Sequence, residues 1–447
     1  MIDKINSLKN NKGFIKYFKN TSWMMGEKVF TVILSMIVSI FVARYLGPED
    51  FGILSYAISL SSLFGIATHM GLSGLSIREL VNNPDEHKEI MGTVFGIKFA
   101  AGFLAMTAFL VFIFVVGDKN EVEFWVLLIV SGTILLKPFE VIDFWFQSKV
   151  RAKYSSIVRA IGSISLSVIK FSLVILGAQL LTFAAASLFQ SLLIALLFLF
   201  FFIKKADLPI KSLKFKLSKA KSLLGQGWMI MLGAIFTIVY LKIDQVMIRW
   251  IINLEEVGVY SVAAKLSEAW YFFPTVIVSS LFPKLLELRK KDEVKFKARF
   301  QQLFDFLFTI ALILAIVVTF IAESLINFLY GTDFGEAAVI LSIHIWAGIF
   351  IFMRAAFSKW ILVEDAIAFS MITQGSGALT NIVLNLIFIP LYGGIGAAIA
   401  TILSYAMASY FSLFFYKKTR SVFWMMTRAF VSPFFYTYKL FKAKNDN

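Results

Sequence analysis

The stretch VARYLGPEDFGILSYA, residues 42–57, closes one long apolar run and opens the next. Gly47-Pro48 breaks the chain there, because glycine admits backbone angles closed to other residues and proline suits the first turn of a new helix. The pattern returns as IRWIINLEEVGVYSVA, residues 248–263. Allowing one inserted residue, Arg44 matches Arg249, Glu49 matches Glu255, Gly52 matches Gly258 and Ser55 matches Ser261. A second echo, offset by 215, sets Gly162 against Gly377 and Lys170 against Asn385. The chain therefore reads as two copies of one unit.

Outward from these junctions, apolar runs long enough to span a bilayer recur along the whole chain. They predict helices at 21–44, 51–77, 91–116, 123–147, 155–177 and 180–203, then 222–250, 256–283, 303–329, 336–358, 367–390 and 394–416. Hydrophobic residues make up 59% of the chain and charged ones 16%, too few polar groups to cover a soluble protein of 447 residues. Six helices separate the repeated junctions. An even number gives both halves the same direction, a parallel repeat about an axis normal to the membrane. The expected fold is an all-α membrane protein of about twelve transmembrane helices, in two six-helix lobes around a central cleft. The divisions are 1–203 for the first lobe, 204–221 for a basic cytoplasmic linker, 222–416 for the second lobe and 417–447 for a basic amphipathic cytoplasmic tail.

The net charge of +15 lies between apolar runs and not in one stripe, which fits membrane topology better than nucleic-acid binding. With the N-terminus inside, alternate connectors carry Lys4, Lys9, Lys12, Lys16 and Lys19, then Arg78 and Lys88, then Lys149, Arg151 and Lys153. Seven more basic residues fall between Lys204 and Lys221, seven between Lys284 and Arg299, one at Lys359 and seven from Lys417 to Lys444. The opposite connectors hold only Arg44, Lys119 and Arg249, a split of 32 to 3 that sets both termini in the cytoplasm. The basic segments near 204–221 and 284–302, with the tail, are expected to lie at an anionic inner-leaflet surface. The lysine-rich first twenty residues contain no signal-peptide core, so the first apolar run is expected to stay as a helix.

Charges also fall deep inside the spans: Glu27, Lys28, Lys98, Lys137, Glu140, Asp143, Arg159, Lys170, Lys242, Asp244, Lys265, Glu268 and Arg354. Each is expensive in hydrocarbon and should face an aqueous cavity or a partner. Eight basic against five acidic residues favour an anionic substrate. Lys28, Arg159, Lys242, Lys265, Arg354 and Lys170 are the candidate substrate-binding cations. Asp244, Glu268, Glu27 and Asp143 are the candidate coupling carboxylates, Asp244 first. Competing structural roles are pairing, locally or across helices, of Lys242 with Asp244 or of Lys265 with Glu268, and snorkelling of Lys98, Lys137 and Lys170. Asn381 and Asn385, four apart on one helix face, suit helix–helix hydrogen bonds or sugar contacts. His69 and His344 read as structural. Trp23, Trp125, Trp145 and Trp228 read as interfacial anchors, and Trp270-Tyr271 as a platform for stacking on a sugar. Cysteine is absent, so disulfides and thiolate chemistry are excluded. With no P-loop and no metal-ligand spacing, neither an enzyme nor a resident cofactor or metal is expected.

Three segments carry a family resemblance: RYLGPEDFGILSYA from Arg44; LKIDQVMI from Leu241 with EVGVYSVAAKL from Glu256; and IPLYGGIGAAIAT from Ile389. Together they resemble the polysaccharide-exporter branch, the Wzx-type O-antigen flippases, of the multidrug/oligosaccharidyl-lipid/polysaccharide exporter superfamily. The resemblance implies twelve helices in two bundles, export of an undecaprenyl-diphosphate-linked glycan by alternating access, and a cationic lumen. Coupling to protons or sodium comes with it, as does a bacterial inner-membrane location. A monomer is expected, working beside a polysaccharide polymerase and chain-length regulator. The alternatives are a multidrug or cation exporter of the same fold and a non-transporting membrane assembly subunit.

Overall fold

The computed structural model describes residues 12–117, 121–364 and 366–445. The expected connector lysines Lys4, Lys9 and Lys119 lie outside the described residues, as do the side chains of Lys12, Lys16, Lys19, Lys439, Lys442 and Lys444. The helices are α1 (Lys12–Gly65), α2 (Leu72–Asn82), α3 (His87–Val116), α4 (Val122–Leu136), α5 (Val141–Ser148), α6 (Lys153–Ile175) and α7 (Leu180–Lys205). They continue as α8 (Leu217–Ile251), α9 (Leu254–Glu268), α10 (Phe272–Lys291), α11 (Glu293–Tyr330), α12 (Ala337–His344), α13 (Ala347–Val363), α14 (Ile367–Ser409) and α15 (Arg420–Asn445).

Ten segments among the described residues are long and apolar enough to cross a membrane. Two of these contain a glycine with positive φ, Gly47 (75°) in α1 and Gly393 (56°) in α14, where one span ends and the next begins. The breaks divide the ten segments into twelve spans, as the sequence predicts. Proline marks both sites, as Pro48 and Pro390. Four spans are themselves interrupted midway. Short 3-10 turns at Ile66–Thr68 and Lys137–Glu140 split the second and fourth, and single-turn breaks separate α9 from α10 and α12 from α13.

The chain packs as two compact units, residues 1–46 with 53–235, and residues 47–52 with 236–447. The boundary falls inside α8, because the first turns of that helix pack with unit 1: Gly227 lies against the backbone of Met70 and Gly71. In unit 1, Leu72, Ile90, Val94, Phe146, Val158, Phe202 and Leu223 form one buried cluster. The segment 204–221 is bound onto the start of α3. Lys214 N donates to Lys88 O (3.1 Å) and Lys216 N to Thr93 Oγ1 (3.0 Å). Lys216 pairs with Glu89 (2.9 Å) and Lys219 with Glu86. Gly92 and Gly96, one turn apart, leave room for the Lys214 backbone and the Phe215 ring; a Cβ at either would come within 2.7 Å of them. Ile210, Phe215 and Leu217 stay exposed.

In unit 2, Phe296, Phe300, Phe304, Leu307, Met353, Phe357 and Trp360 form the core. The tail expected at a membrane surface starts inside this core, with Val422, Met426 and Ala429 buried and Arg428 outward. The two repeat junctions meet here. Gly52 faces the backbone of Leu254 and Gly258, and Gly258 faces that of Pro48. The matched glycines thus perform the same task in each copy, since any side chain would push the two backbones apart. The second echo corresponds as well: Gly162 faces Ile194 on the following helix, and Gly377 faces Ala408 on its own following helix.

Candidate functional site

Asp244 on α8 is 3% exposed, and three neutral side chains converge on it. Tyr260 Oη on α9 donates to its Oδ2 at 2.6 Å, as does Thr401 Oγ1 at 2.6 Å. Asn385 Nδ2 donates to Oδ1 at 2.6 Å. Asn385 also reaches Asn381 Oδ1 (3.3 Å), and Asn381 Nδ2 donates to Ser404 Oγ (3.4 Å). The His344 ring lies edge-on to Tyr260 at 5.9 Å.

The break in α14 assembles this site. Asn381 and Asn385 precede Gly393 and Thr401 follows it, so one reversal brings both sides of the helix pair to the same carboxylate. Glu256 Oε1 accepts the hydrogen bond of Gly394 N (2.6 Å), supplying an acceptor and a negative charge at the start of the new helical run. The Thr401 hydroxyl is also 2.9 Å from Ala397 O. It owns one proton and must share it between that carbonyl and Asp244. The Asn385 Oδ1 atom is buried with no partner among the described residues. The cluster therefore offers oxygen ligands from a carboxylate, amides, a hydroxyl and a carbonyl, with one formal negative charge. That donor set fits a proton or a hard monovalent cation and lacks the several charged ligands of a divalent-metal site. Among the described residues no group of three or more His, Cys, Asp or Glu is placed to hold a metal.

The remaining candidates divide. The alternative pairing of Lys242 with Asp244 is not formed; Lys242 instead reaches Glu268 across helices (3.4 Å), both side chains about one-quarter exposed. Alternate register explains this: two positions apart, Lys242 and Asp244 leave α8 on different faces. Lys265 lies over the Phe51 ring at 4.3 Å. Arg354 is a buried cross-brace, donating to Ala408 O (2.7 Å), Thr373 Oγ1 (3.0 Å) and Ser370 Oγ (3.3 Å) and stacking over Phe357.

In unit 1, Arg159 forms an ion pair with Asp143, which also accepts from Gln147 Nε2 (2.9 Å), so the expected cation and the expected carboxylate hold one another. Glu27 accepts from Thr31 (3.1 Å) and lines an open, largely apolar cavity of about 690 Å³ between α1 and α6. Lys28 is exposed. Lys170 lines a separate cavity of about 330 Å³. Trp145, expected at an interface, is 3% exposed; it packs against His87 and Phe202 because α5 turns that face inward. Trp23, Trp125 and Trp228 are exposed. Tyr271 packs against Tyr405 (6.3 Å), while Trp270 is exposed. Sequence reasoning missed Tyr260 and Thr401, neutral groups inside apolar runs. Tyr260 lies two residues after Gly258 and Thr401 closes the IPLYGGIGAAIAT segment, so both fall within motifs that were already visible.

An all-helical membrane chain of twelve spans, with a buried carboxylate cluster built at a broken helix, defines a polytopic membrane transporter fold. Comparisons agree. The chain superposes on the lipid II flippase MurJ in an inward closed conformation with a TM-score of 0.69 at 17% identity, covering 91% of this chain and 90% of that one. A multidrug resistance transporter of the MATE family, inward-facing, gives 0.64 at 13% identity, covering 90% and 95%. In sequence, the probable flippase AglR of Haloferax volcanii is 23% identical over 402 residues, covering 88% of this chain and 82% of the relative. A Shigella flexneri protein assigned as an O-antigen transporter is 25% identical over 295 residues, covering 62% and 68%. Residues 17–289 match the model of the polysaccharide biosynthesis protein family. The chain belongs to that family.

Proposed function

We propose that this protein flips an undecaprenyl-diphosphate-linked oligosaccharide, an O-antigen or related surface-polysaccharide unit, from the inner to the outer leaflet of a bacterial cytoplasmic membrane. The observation that carries the reading is the family match, joined to similarity to proteins named as a flippase and an O-antigen transporter. The excess of basic residues in the spans supports an anionic substrate. Both termini lie in the cytoplasm on the charge bias, and the protein works as a monomer beside a polymerase and a chain-length regulator.

Transport runs by alternating access coupled to a proton or sodium ion, with Asp244 as the coupling carboxylate. Its support is geometric: the charge is buried, held only by neutral donors, and surrounded by oxygen ligands from three helices. Occupation by a cation neutralises Asp244 and releases Tyr260 and Thr401 to other acceptors, which shifts the balance between two helix arrangements. Lys28, Lys242 and Lys265 remain candidate substrate contacts; Arg159 and Arg354, engaged by Asp143 and by backbone and hydroxyl groups, act through the arrangement of their helices.

The test is complementation in a bacterium lacking its own lipid-linked glycan flippase, with that strain's glycan pathway matched to this protein. Surface polysaccharide restored by the wild type at normal membrane insertion supports the reading. A correctly inserted wild type that restores none in any of several glycan backgrounds removes it.

A further inference from the structure

Three basic segments flank the spans, and the fold treats them differently. In 284–302 much of the charge is neutralised locally: Lys291 pairs with Glu287 (2.6 Å), Lys295 with Asp292 (2.8 Å), Lys297 with Glu293 (2.9 Å) and Arg289 with Glu364 (2.9 Å). The tail sends Val422, Met426 and Ala429 into the unit 2 core. The segment 204–217 does neither. Lys204, Lys205, Lys211 and Lys214 are exposed there, beside the exposed Lys88, whose carbonyl accepts from Lys214 N. Among the described residues none of these five forms an ion pair. The neighbouring acids Glu86, Glu89 and Asp207 already hold Lys219, Lys216 and Arg151.

Apolar side chains stand among these lysines. Leu213 packs against the buried cluster of unit 1, while Ile210, Phe215 and Leu217 stay exposed. Where the Phe215 ring lies decides what covers it. The ring sits against Gly96 of α3. Gly92, Gly96, Phe99 and Phe103 follow one another at three- or four-residue steps and share one face of that helix. Phe99 and Phe103 are 44% and 54% exposed, whereas Ile97, Ala101 and Ala105 on the opposite face are buried. Exposed phenylalanines along a bilayer-spanning helix belong in hydrocarbon. Phe215 therefore lies on the lipid-facing stripe, in the space the glycines clear. Lys88, eight residues before Gly96, stands about 12 Å farther towards the membrane surface at 1.5 Å per residue. That separation matches an acyl-level ring beneath headgroup-level ammonium groups.

We propose that residues 204–217, with Lys88, form a binding surface for anionic phospholipids of the cytoplasmic leaflet. Phe215 and Leu217 enter the upper acyl region, and Lys88, Lys204, Lys205, Lys211 and Lys214 take the headgroup phosphates. The surface does not depend on the flippase reading, and the leaflet follows from the charge bias of the connectors. A lysine stem can lie along an apolar neighbour while its ammonium reaches a phosphate, as Lys204 lies over the Phe200 ring at 4.5 Å. Lys216 and Lys219, held by Glu89 and Glu86, tie this surface to α3 and to the first turns of α8. Lipid bound here steadies the contact between those two helices.

The chain has no cysteine, so one introduced thiol carries a label alone. Phe215→Cys, Leu217→Cys and Lys211→Cys are spin-labelled singly in the full chain, in nanodiscs of mixed phosphatidylcholine and phosphatidylglycerol. Relaxation by dissolved oxygen against a water-soluble nickel chelate reads depth. Labels at 215 and 217 should favour oxygen, and the label at 211 should favour nickel. Headgroup preference is read separately, in proteoliposomes, from the motionally restricted fraction of spin-labelled phosphatidylglycerol against that of spin-labelled phosphatidylcholine. The wild type should hold phosphatidylglycerol preferentially. A variant carrying Lys204→Gln, Lys205→Gln, Lys211→Gln and Lys214→Gln should lose the preference, by about fivefold for each headgroup contact removed. Arginine at the same four positions should keep it, which guards against a folding artefact. Lys291→Gln with Lys295→Gln and Lys297→Gln, whose lysines are already paired, should leave it unchanged. Nickel access at 215 and 217 would place this face in water and overturn the surface. Equal retention of both lipids by the wild type, or an unchanged preference in the four-glutamine variant, would overturn it too. So would an equal loss in the Lys291, Lys295 and Lys297 variant, because bulk charge would then account for the preference.

Discussion

Replacing Asp244 with asparagine tests the proposed ion coupling separately from folding. The carboxylate accepts three hydrogen bonds, each at 2.6 Å, from Tyr260, Thr401 and Asn385. A hydrogen bond to a charged group contributes about 1.5–3 kcal/mol and a neutral one about 0.5–1.5 kcal/mol. An amide keeps one acceptor oxygen for Tyr260 and Thr401, and its new NH2 group meets Asn385, whose amide must turn so that its unpartnered Oδ1 accepts; the exchange weakens the set by roughly 3 kcal/mol in all. Against this, a buried charge carries a desolvation penalty of several kcal/mol that the amide avoids. The two nearly cancel, so Asp244→Asn should keep the melting temperature of the wild type within a few degrees. Alanine is different: it leaves three buried donors unsatisfied at about 1–3 kcal/mol each and should unfold earlier. Function should follow the charge and not the fold. Without its one formal negative charge the cluster loses cation affinity by roughly 100-fold, taking about 3 kcal/mol for the lost charged ligand. The assay is substrate translocation in proteoliposomes with imposed sodium or proton gradients. Asp244→Asn protein that is normally folded and insensitive to both gradients is the expected result. Retained gradient dependence in a folded Asp244→Asn protein would refute the reasoning.

Three further predictions concern the frame. Gly258→Ala places a methyl against the Pro48 backbone and should destabilise unit 2 by about 1–3 kcal/mol, whereas Gly74→Ala, with open space around it, should be neutral or slightly stabilising; thermal unfolding in detergent compares the two. Asn253 caps α9 by accepting from Glu256 N (2.8 Å), so Asn253→Ala should lower stability by about 1 kcal/mol in the same assay. Lys242→Glu should place two like charges beside one another and lower stability. Adding Glu268→Lys should recover part of the loss, which a double-mutant cycle measures.

Much of the fold was legible because its signals are local. Apolar runs set the spans, and glycine with proline at residues 47–48 and 390–393 marked the breaks that raise ten segments to twelve. The repeat was legible for the same reason: Gly52 and Gly258 answer a steric demand that admits no other side chain cheaply. Partnerships were less visible. Asp244 stood out as a deep charge, and Asn381 with Asn385 as a polar helix face, yet nothing local joins them across more than a hundred residues. Tyr260 and Thr401 resemble ordinary span residues until the reversal at Gly393 brings them to the carboxylate. Lys242 and Glu268 form the reverse case, since proximity along the chain offers Asp244 as a partner and the fold supplies Glu268. Arg159 and Arg354 show that depth marks a charge as important without saying whether it meets a ligand or a neighbour.

The most direct measurement of the central claim is translocation of a labelled undecaprenyl-diphosphate-linked glycan in liposomes containing only this purified protein. Glycan should become accessible at the opposite leaflet faster than in protein-free liposomes, and unlabelled substrate should compete. Folded, inserted protein that moves no such glycan above the protein-free rate, with each available repeat unit, would contradict the account.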